Sequence, residues 1–309
     1  MELRQLRYFI AVCELGSMGR AALELGTVPS TLSQQISRLE NELSTRLLHR
    51  TPSGVAPTDA GLAFLRHAQL VIRHMNDASQ AAKIARLSGR ASVGFPPSMA
   101  SLLGGPLAQA ARAQYPDIKL HLVEALSGHL MSMLNAGRLD MAIQFNTVPA
   151  QHLRSIHLQD EKLFLIGKRT LPGLPPGDKA TFSEMADTPL VMPSRPHGLR
   201  ETVEECFSRV DKKPHVVMEV DSMVMVMATV AAGMAASVQP GAAIAHNRDP
   251  GIAAIEIVDR HALRRNFLIS LQEEQLSSAG LAIRSLLRKT VRDVVKAGKW
   301  MGAGLDEAG

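Results

Sequence analysis

Leu3, Leu6, Phe9, Ile10 and Cys13 recur at intervals of three and four, the mark of a helix with one buried stripe. Gly16 predicts its end, and Ser17 a cap for a second helix over Ser17–Leu25, where Ala21, Ala22 and Leu25 share a side. Gly26 marks a tight turn, and Pro29 suits the first turn of a third helix because its missing N–H would have no intrahelical acceptor. In that helix Leu32, Ile36, Leu39 and Leu43 form an apolar face. Opposite them stand Ser30, Thr31, Ser33, Gln34 and Arg38, all able to hydrogen-bond and none acidic.

Two short helices around a tight glycine turn, the second presenting such a face, read as a helix-turn-helix whose second helix enters the major groove. A helical hairpin that merely packs has the same periodicity, and the following residues separate the two readings. Leu47–Thr51 and Val55–Pro57 read as short strands around the turn Pro52-Ser53-Gly54, which makes a wing. Thr58-Asp59-Ala60-Gly61 opens a long helix to about Leu87. Along it Leu65, Ala68, Ile72, Met75, Ser79 and Ala82 keep a heptad spacing that predicts self-pairing, against packing on its own domain.

Beyond residue 90 the pattern changes to apolar runs of strand length alternating with helices. Ala91–Phe95, Lys119–Glu124 and Met141–Phe145 predict strands; about Met99–Gln114 and Gly128–Ala136 predict helices. Such βαβ units imply a parallel sheet. Its ligand sites lie at carboxyl ends of strands, near helix N-termini. That rule selects the loops Pro97-Ser98-Met99, Ser127-Gly128-His129 and Gln144–Asn146. A second unit from about Leu163 adds Pro193-Ser194-Arg195, where Arg195 is an anion clamp. Each of these side chains can equally be a cap or turn residue. Met223, Met225 and Met227 read as gap-filling core.

The chain is 309 residues long, with 46% apolar and 20% charged residues and a net charge of +5, the balance of a globular protein of two or three domains. Residues 1–60 carry balanced charge. Residues 61–90 hold Arg66, Arg73, Lys83, Arg86 and Arg90 against Asp77 alone, and Arg284–Lys299 is also basic. A DNA-binding role therefore rests on the motif and not on bulk charge. Cys13 and Cys206 form no metal or redox motif and fit a reducing compartment. No export signal or stretch of roughly 20 apolar residues is seen, which points to the cytoplasm. Zinc-protease, nucleophile-elbow and phosphate-loop motifs are missing, so neither an enzyme nor a cofactor is expected.

The first sixty residues resemble the LysR-type transcriptional regulators. The likeness runs in register through Leu6-Arg7-Tyr8-Phe9, Gly16-Ser17, Arg20-Ala21-Ala22, Leu25, Leu32-Ser33-Gln34-Gln35-Ile36, Leu39-Glu40, Leu43, Leu47-Leu48, Arg50-Thr51, Gly54-Val55 and Thr58-Asp59-Ala60-Gly61. It implies an α/β multidomain chain. A winged helix-turn-helix would span 1–58 (helix-turn-helix 18–37) and a dimerisation linker helix 59–88. A two-lobed α/β effector domain shaped like periplasmic solute-binding proteins would span 91–300. Its first lobe would be about 91–162 and 267–300, its second about 163–266. A helix is implied over Ser222–Ala232, leading to a strand ending near Pro240.

The resemblance also implies a DNA site of Ser17, Arg20, Ser30, Thr31, Ser33, Gln34, Arg38, Arg50 and Thr51. The effector cleft would take Ser98, Met99, Ser127, Gly128, Gln144, Asn146, Ser194 and Arg195. Implied partners are double-stranded DNA, further copies of the chain as homodimer or homotetramer, and RNA polymerase. Two departures stand out: Val28-Pro29-Ser30 replaces the usual Ser-Gln-Pro, and Pro52-Ser53 occupies a wing position that is often basic. Ala136–Ala142 and Leu163–Gly167 further resemble the nitrogen assimilation control regulators, a type that implies action without a small-molecule coinducer. The alternative is a small-molecule binding protein without a DNA role, which residues 91–300 alone would suit.

Overall fold

A computed structural model describes residues 1–51, 54–81, 87–145, 152–195, 197–245 and 249–304. At the N-terminus, α1 (Leu3–Leu15) buries Leu6, Phe9 and Val12. It stops at Gly16, whose φ of 62° is a left-handed geometry that costs a glycine little. Ser17 Oγ then accepts the Arg20 N–H at 3.4 Å to open α2 (Met18–Glu24). Ala21 and Ala22 are buried where their small side chains admit close neighbours. Val28 caps α3 (Pro29–Glu42) with Pro29 in its first turn, and Leu32, Ile36 and Leu39 are wholly buried against Phe9 and Val12.

The hairpin of β1 (Leu48–Thr51) and β2 (Gly54–Pro57) is antiparallel, with Leu48 opposite Pro57 and Thr51 opposite Gly54. Its base is fixed by Glu40, a buried carboxylate accepting the Leu47 and Leu48 N–H groups at 2.8 and 3.1 Å. Those donors would otherwise be buried unpaired, at a cost of about 1–3 kcal/mol each. Helix α4 (Asp59–Ala81) leaves the hairpin at Gly61, where a Cβ would stand 2.0 Å from the Leu47 carbonyl.

Of the residues expected to form a pairing seam on α4, the first two are taken up within the chain, while Ile72 and Met75 are half-buried. Leu65 and Ala68 are buried within the chain, Leu65 in the same core as Phe9 and Leu32. Phe64 packs edge-on against Phe9, centroids 5.4 Å apart. Among the described residues of α4, the large apolar side chains turned to solvent are Leu62 and Val71. One stripe of the helix is already used to close the N-terminal unit, which periodicity alone cannot reveal. Leu70 packs toward Leu130 and Leu134, and Arg73 pairs with the buried Asp140 and donates to the Gly137 carbonyl at 2.8 Å. The Ser79 side chain and Ala82 lie outside the described residues.

The rest of the chain forms two lobes. In the first, β3 (Gly89–Phe95), α5 (Pro97–Gln114), β4 (Ile118–Glu124), α6 (Ser127–Asn135) and β5 (Met141–Gln144) make a parallel β4-β3-β5 sheet. The 16-residue β6 (Leu153–Lys168) then crosses into the second lobe. There lie β7 (Lys179–Ala180), β8 (Leu190–Met192), α7 (Gly198–Arg209), β9 (Val216–Glu219), α8 (Met223–Ala231), β10 (Ser237–Pro240) and β11 (Ile252–Ile257). The chain returns through β12 (Leu263–Leu271) and ends on α9 (Ser278–Lys296).

The sheet runs β4-β3-β5-β12-β6-β11-β7, with β10 also on β6; the expected parallel arrangement holds for β4-β3-β5, and the later strands make the whole sheet mixed. Strand β12 is antiparallel to both β5 and β6 because it returns beside the outgoing strand. Leu163 and Leu165 face one second-lobe core and Phe164 and Ile166 another, so this stretch is apolar throughout. The 3-10 turn Gly241–Ile244, in the second-lobe stretch of the chain, sends Ala242 into the first-lobe core.

Candidate DNA-binding face and inter-lobe cleft

Ser30, Gln34 and Arg38 follow one another every fourth residue along α3, and all three are exposed. Thr31 and Ser33 flank them half-buried, and the fully buried Leu32, Ile36 and Leu39 hold the opposite side of the helix. The polar line is therefore presented by a rod that cannot rotate without exposing its leucines. Ser17 is engaged as the cap of α2, and the exposed Arg20 donates to the Leu15 carbonyl. The wing is tied to the α1–α2 turn by the Val55 N–H on the Gly16 carbonyl at 3.0 Å. Arg50 and Thr51 lie on β1; their side chains, and Pro52 and Ser53, fall outside the described residues.

The second site is a cleft between the lobes. Ser98 and Ser127 line it, each in the first turn of a helix and not in a loop as expected. Ser98 Oγ accepts from Arg264 Nη2 at 3.0 Å. That guanidinium lies over the Phe145 ring, 3.6 Å from its centroid, and donates through Nε and Nη2 to Glu161 at 2.8 and 2.6 Å. Glu161 is wholly buried and also accepts from Trp300 Nε1 at 2.7 Å and Asn266 Nδ2 at 3.2 Å. Burial lowers the Arg264 pKa while Glu161 acts to raise it. Desolvation of this kind is tolerable only for a matched pair.

Other expected cleft residues stand elsewhere. Met99 is fully buried in the first-lobe core. Gly128 is exposed beside the lining, and Gln144 is buried, donating to the Ser127 carbonyl at 3.2 Å. Ser194 donates its N–H and hydroxyl to Asp221 at 2.8 and 2.9 Å, which holds that carboxyl below its usual range. Arg195 points to solvent and pairs with Glu204 at 2.5 Å; it clamps a neighbour on α7 rather than an anion in the cleft. Asn146 lies outside the described residues.

Sequence reading passed over Arg264, Gln239, His197 and Asp221, which line the cleft. Gln239 is a polar residue in a wholly buried strand, a fact its sequence does not reveal. Arg264 stands in Arg264-Arg265-Asn266, which reads like a basic surface turn.

Residues 3–62 match the profile of the "Bacterial regulatory helix-turn-helix protein, lysR family", and residues 85–292 that of the "LysR substrate binding domain". The chain belongs to the LysR family. It is a LysR-type DNA-binding transcription regulator, which sets aside the alternative of a solute-binding protein without a DNA role. The nitrogen assimilation regulatory protein nac of Escherichia coli (strain K12) is 36% identical over 246 residues, 79% of each chain. The protein of the same name from Klebsiella aerogenes is 33% identical over an equal length and equal shares. Among solved structures, CbnR, a LysR family transcriptional regulator, superposes with a TM-score of 0.64 at 25% identity, covering 94% of this chain and 99% of its own.

The cysteines of this LysR-type chain sit in apolar surroundings. Burial pushes the Cys13 thiol up to about 12 and Cys206 up to about 11. Both stay protonated at neutral pH, unlike the thiolates of redox sensors. Among the described residues no group of three or more His, Cys, Asp or Glu could hold a metal ion, and no helix is long and apolar enough to cross a membrane.

Proposed function

We propose that Ser30, Gln34 and Arg38 enter the major groove of an operator, Gln34 and Arg38 reading base edges. Ser17, Arg20, Thr31, Ser33 and the wing residues Arg50 and Thr51 meet phosphates around them. The observation carrying this reading is the exposed, acid-free line on α3 directly behind a fully buried apolar stripe. Hydroxyls and guanidinium groups position the duplex, and the Gln34 amide matches the paired donor and acceptor of adenine.

In the same reading a small molecule entering beside Ser98 and Ser127 shifts the balance between lobe arrangements. The chain pairs through the outward face of α4 at Leu62 and Val71, as a dimer or a dimer of dimers. It works in the cytoplasm, acts on RNA polymerase at its promoters and catalyses no reaction. The central claim is tested by binding the purified protein to its own promoter region across a salt series. Specific binding that weakens steeply with salt supports it, and salt-independent or absent binding overturns it.

A further inference from the structure

We propose that the inter-lobe cleft selects a small apolar molecule bearing an N–H donor, an amine in preference to a carboxylate. This rests on the cleft being a small-molecule site. Pro96, Leu126, Phe145, Val220, Met223 and Val226 give it apolar walls. Its cavity of about 60 Å³ limits the buried part of an occupant to a few non-hydrogen atoms, since one water needs roughly 10–15 Å³ by the same measure.

Among the described side chains of that lining, the polar atoms left over are acceptors. Gln239 is 3% exposed, and its Oε1 has no hydrogen-bond partner. The amide orientation follows from its neighbours. Nε2 donates to Ser237 Oγ at 3.0 Å, and the Ser237 hydroxyl proton is directed to the Val191 carbonyl at 3.0 Å. Ser237 therefore receives the amide nitrogen, and the oxygen is the atom that awaits a donor. Asp221, at the cleft mouth, is ionised; it accepts from Ser194, and the imidazole of His197 lies close enough to act on it through charge. Burial, reinforced by Arg264, lowers the His197 pKa, so that ring is neutral at pH 7 and leaves the carboxylate charge uncompensated.

Among the described residues of the lining, the cation Arg264 is already committed. Arg264 is offset by the buried Glu161, gives Nη2 also to Ser98, and has its flat face on Phe145. An incoming carboxylate meets a neutral ion pair and the like charge of Asp221; an ammonium meets an orphaned oxygen and an unmatched carboxylate. The hydroxyls of Ser98 and Ser127 donate or accept and so do not discriminate.

Isobutylamine and isobutyrate share a C4 skeleton and differ in the charged end. Titrating each into the full-length protein labelled with ¹³C at methionine methyls reads the cleft directly through Met223, assigned with Met223→Leu. Isobutylamine is expected to bind at least about tenfold more tightly than isobutyrate, the effect of one charge-assisted hydrogen bond. Gln239→Leu should remove most of that preference. Asp221→Asn, at an exposed position that folding tolerates, should weaken the amine and strengthen the carboxylate. If isobutyrate binds as tightly as isobutylamine, or Asp221→Asn leaves their ratio unchanged, the amine selection is overturned and the cleft remains a small-molecule site. If neither compound moves the Met223 signal, the cleft reading itself falls, and the selection with it.

Discussion

The exposed face of α3 and the inter-lobe cleft set polar side chains under opposite conditions. Ser30, Gln34 and Arg38 come from nine consecutive residues and stand in water, each free of any buried partner. The cleft draws on Ser98, Glu161, Gln239 and Arg264, distant in sequence, and holds them largely out of water, where a charge or dipole left unanswered is costly. A site of the first kind can change residues at little cost to the fold, so its specificity is adjustable. In a site of the second kind, ligand recognition and lobe stability depend on the same atoms.

The largest test of that contrast is Glu161→Ala. Removing the carboxylate strands Arg264 in a buried site, and the C-terminal lobes should lose about 3–5 kcal/mol in urea unfolding. Operator affinity measured below the transition should be retained; a parallel loss would mean that the two regions are one unit. Val71→Asp places a charge on the outward face of α4 without touching either site. It should reduce the protein to monomers by light scattering, at a cost of about 2–3 kcal/mol for leaving a polar group unsatisfied in the seam. An intact dimer would move the pairing surface elsewhere.

Gln34→Ala should leave folding within about 0.5 kcal/mol. It should cost roughly 1–3 kcal/mol of discrimination at one base position in a footprinting comparison. Unchanged preference would remove Gln34 from the reading set. The smallest effect concerns pH. Hydrogen bonds from Arg195 and then Arg200 hold the Glu204 carboxyl below 4.5. A lowered carboxylate pKa adds stability that is complete above the unfolded value and is lost as pH falls through the folded one. Glu204→Gln should therefore cost only about 0.2–1 kcal/mol at neutral pH, screened as it is, and flatten the unfolding profile below pH 4.5.

The N-terminal unit was legible at nearly single-residue level. Gly16, Ser17, Gly26 and Pro29 are punctuation whose conformations follow from their own chemistry, and the leucine spacing of α3 leaves one orientation for its polar face. Glu40 was legible only as part of the family pattern. Its buried role depends on the hairpin folding back over the end of α3, a contact that helical periodicity does not encode. In the lobes, the strands and helices of the first unit were placed to within one or two residues. The antiparallel return of β12 was hidden because an apolar strand reads alike in either direction.

By itself the sequence determined the helix-turn-helix, the exposed polar face of its second helix and the succession of strands and helices, all products of short-range periodicity and capping. Tertiary structure alone decided which face of α4 remained free, and that Arg264 and not Arg195 became the cation of the cleft. The reason is desolvation. Whether an arginine is a surface charge or a buried partner depends on which distant carboxylate the fold brings to it, and Glu161 lies 103 residues from Arg264.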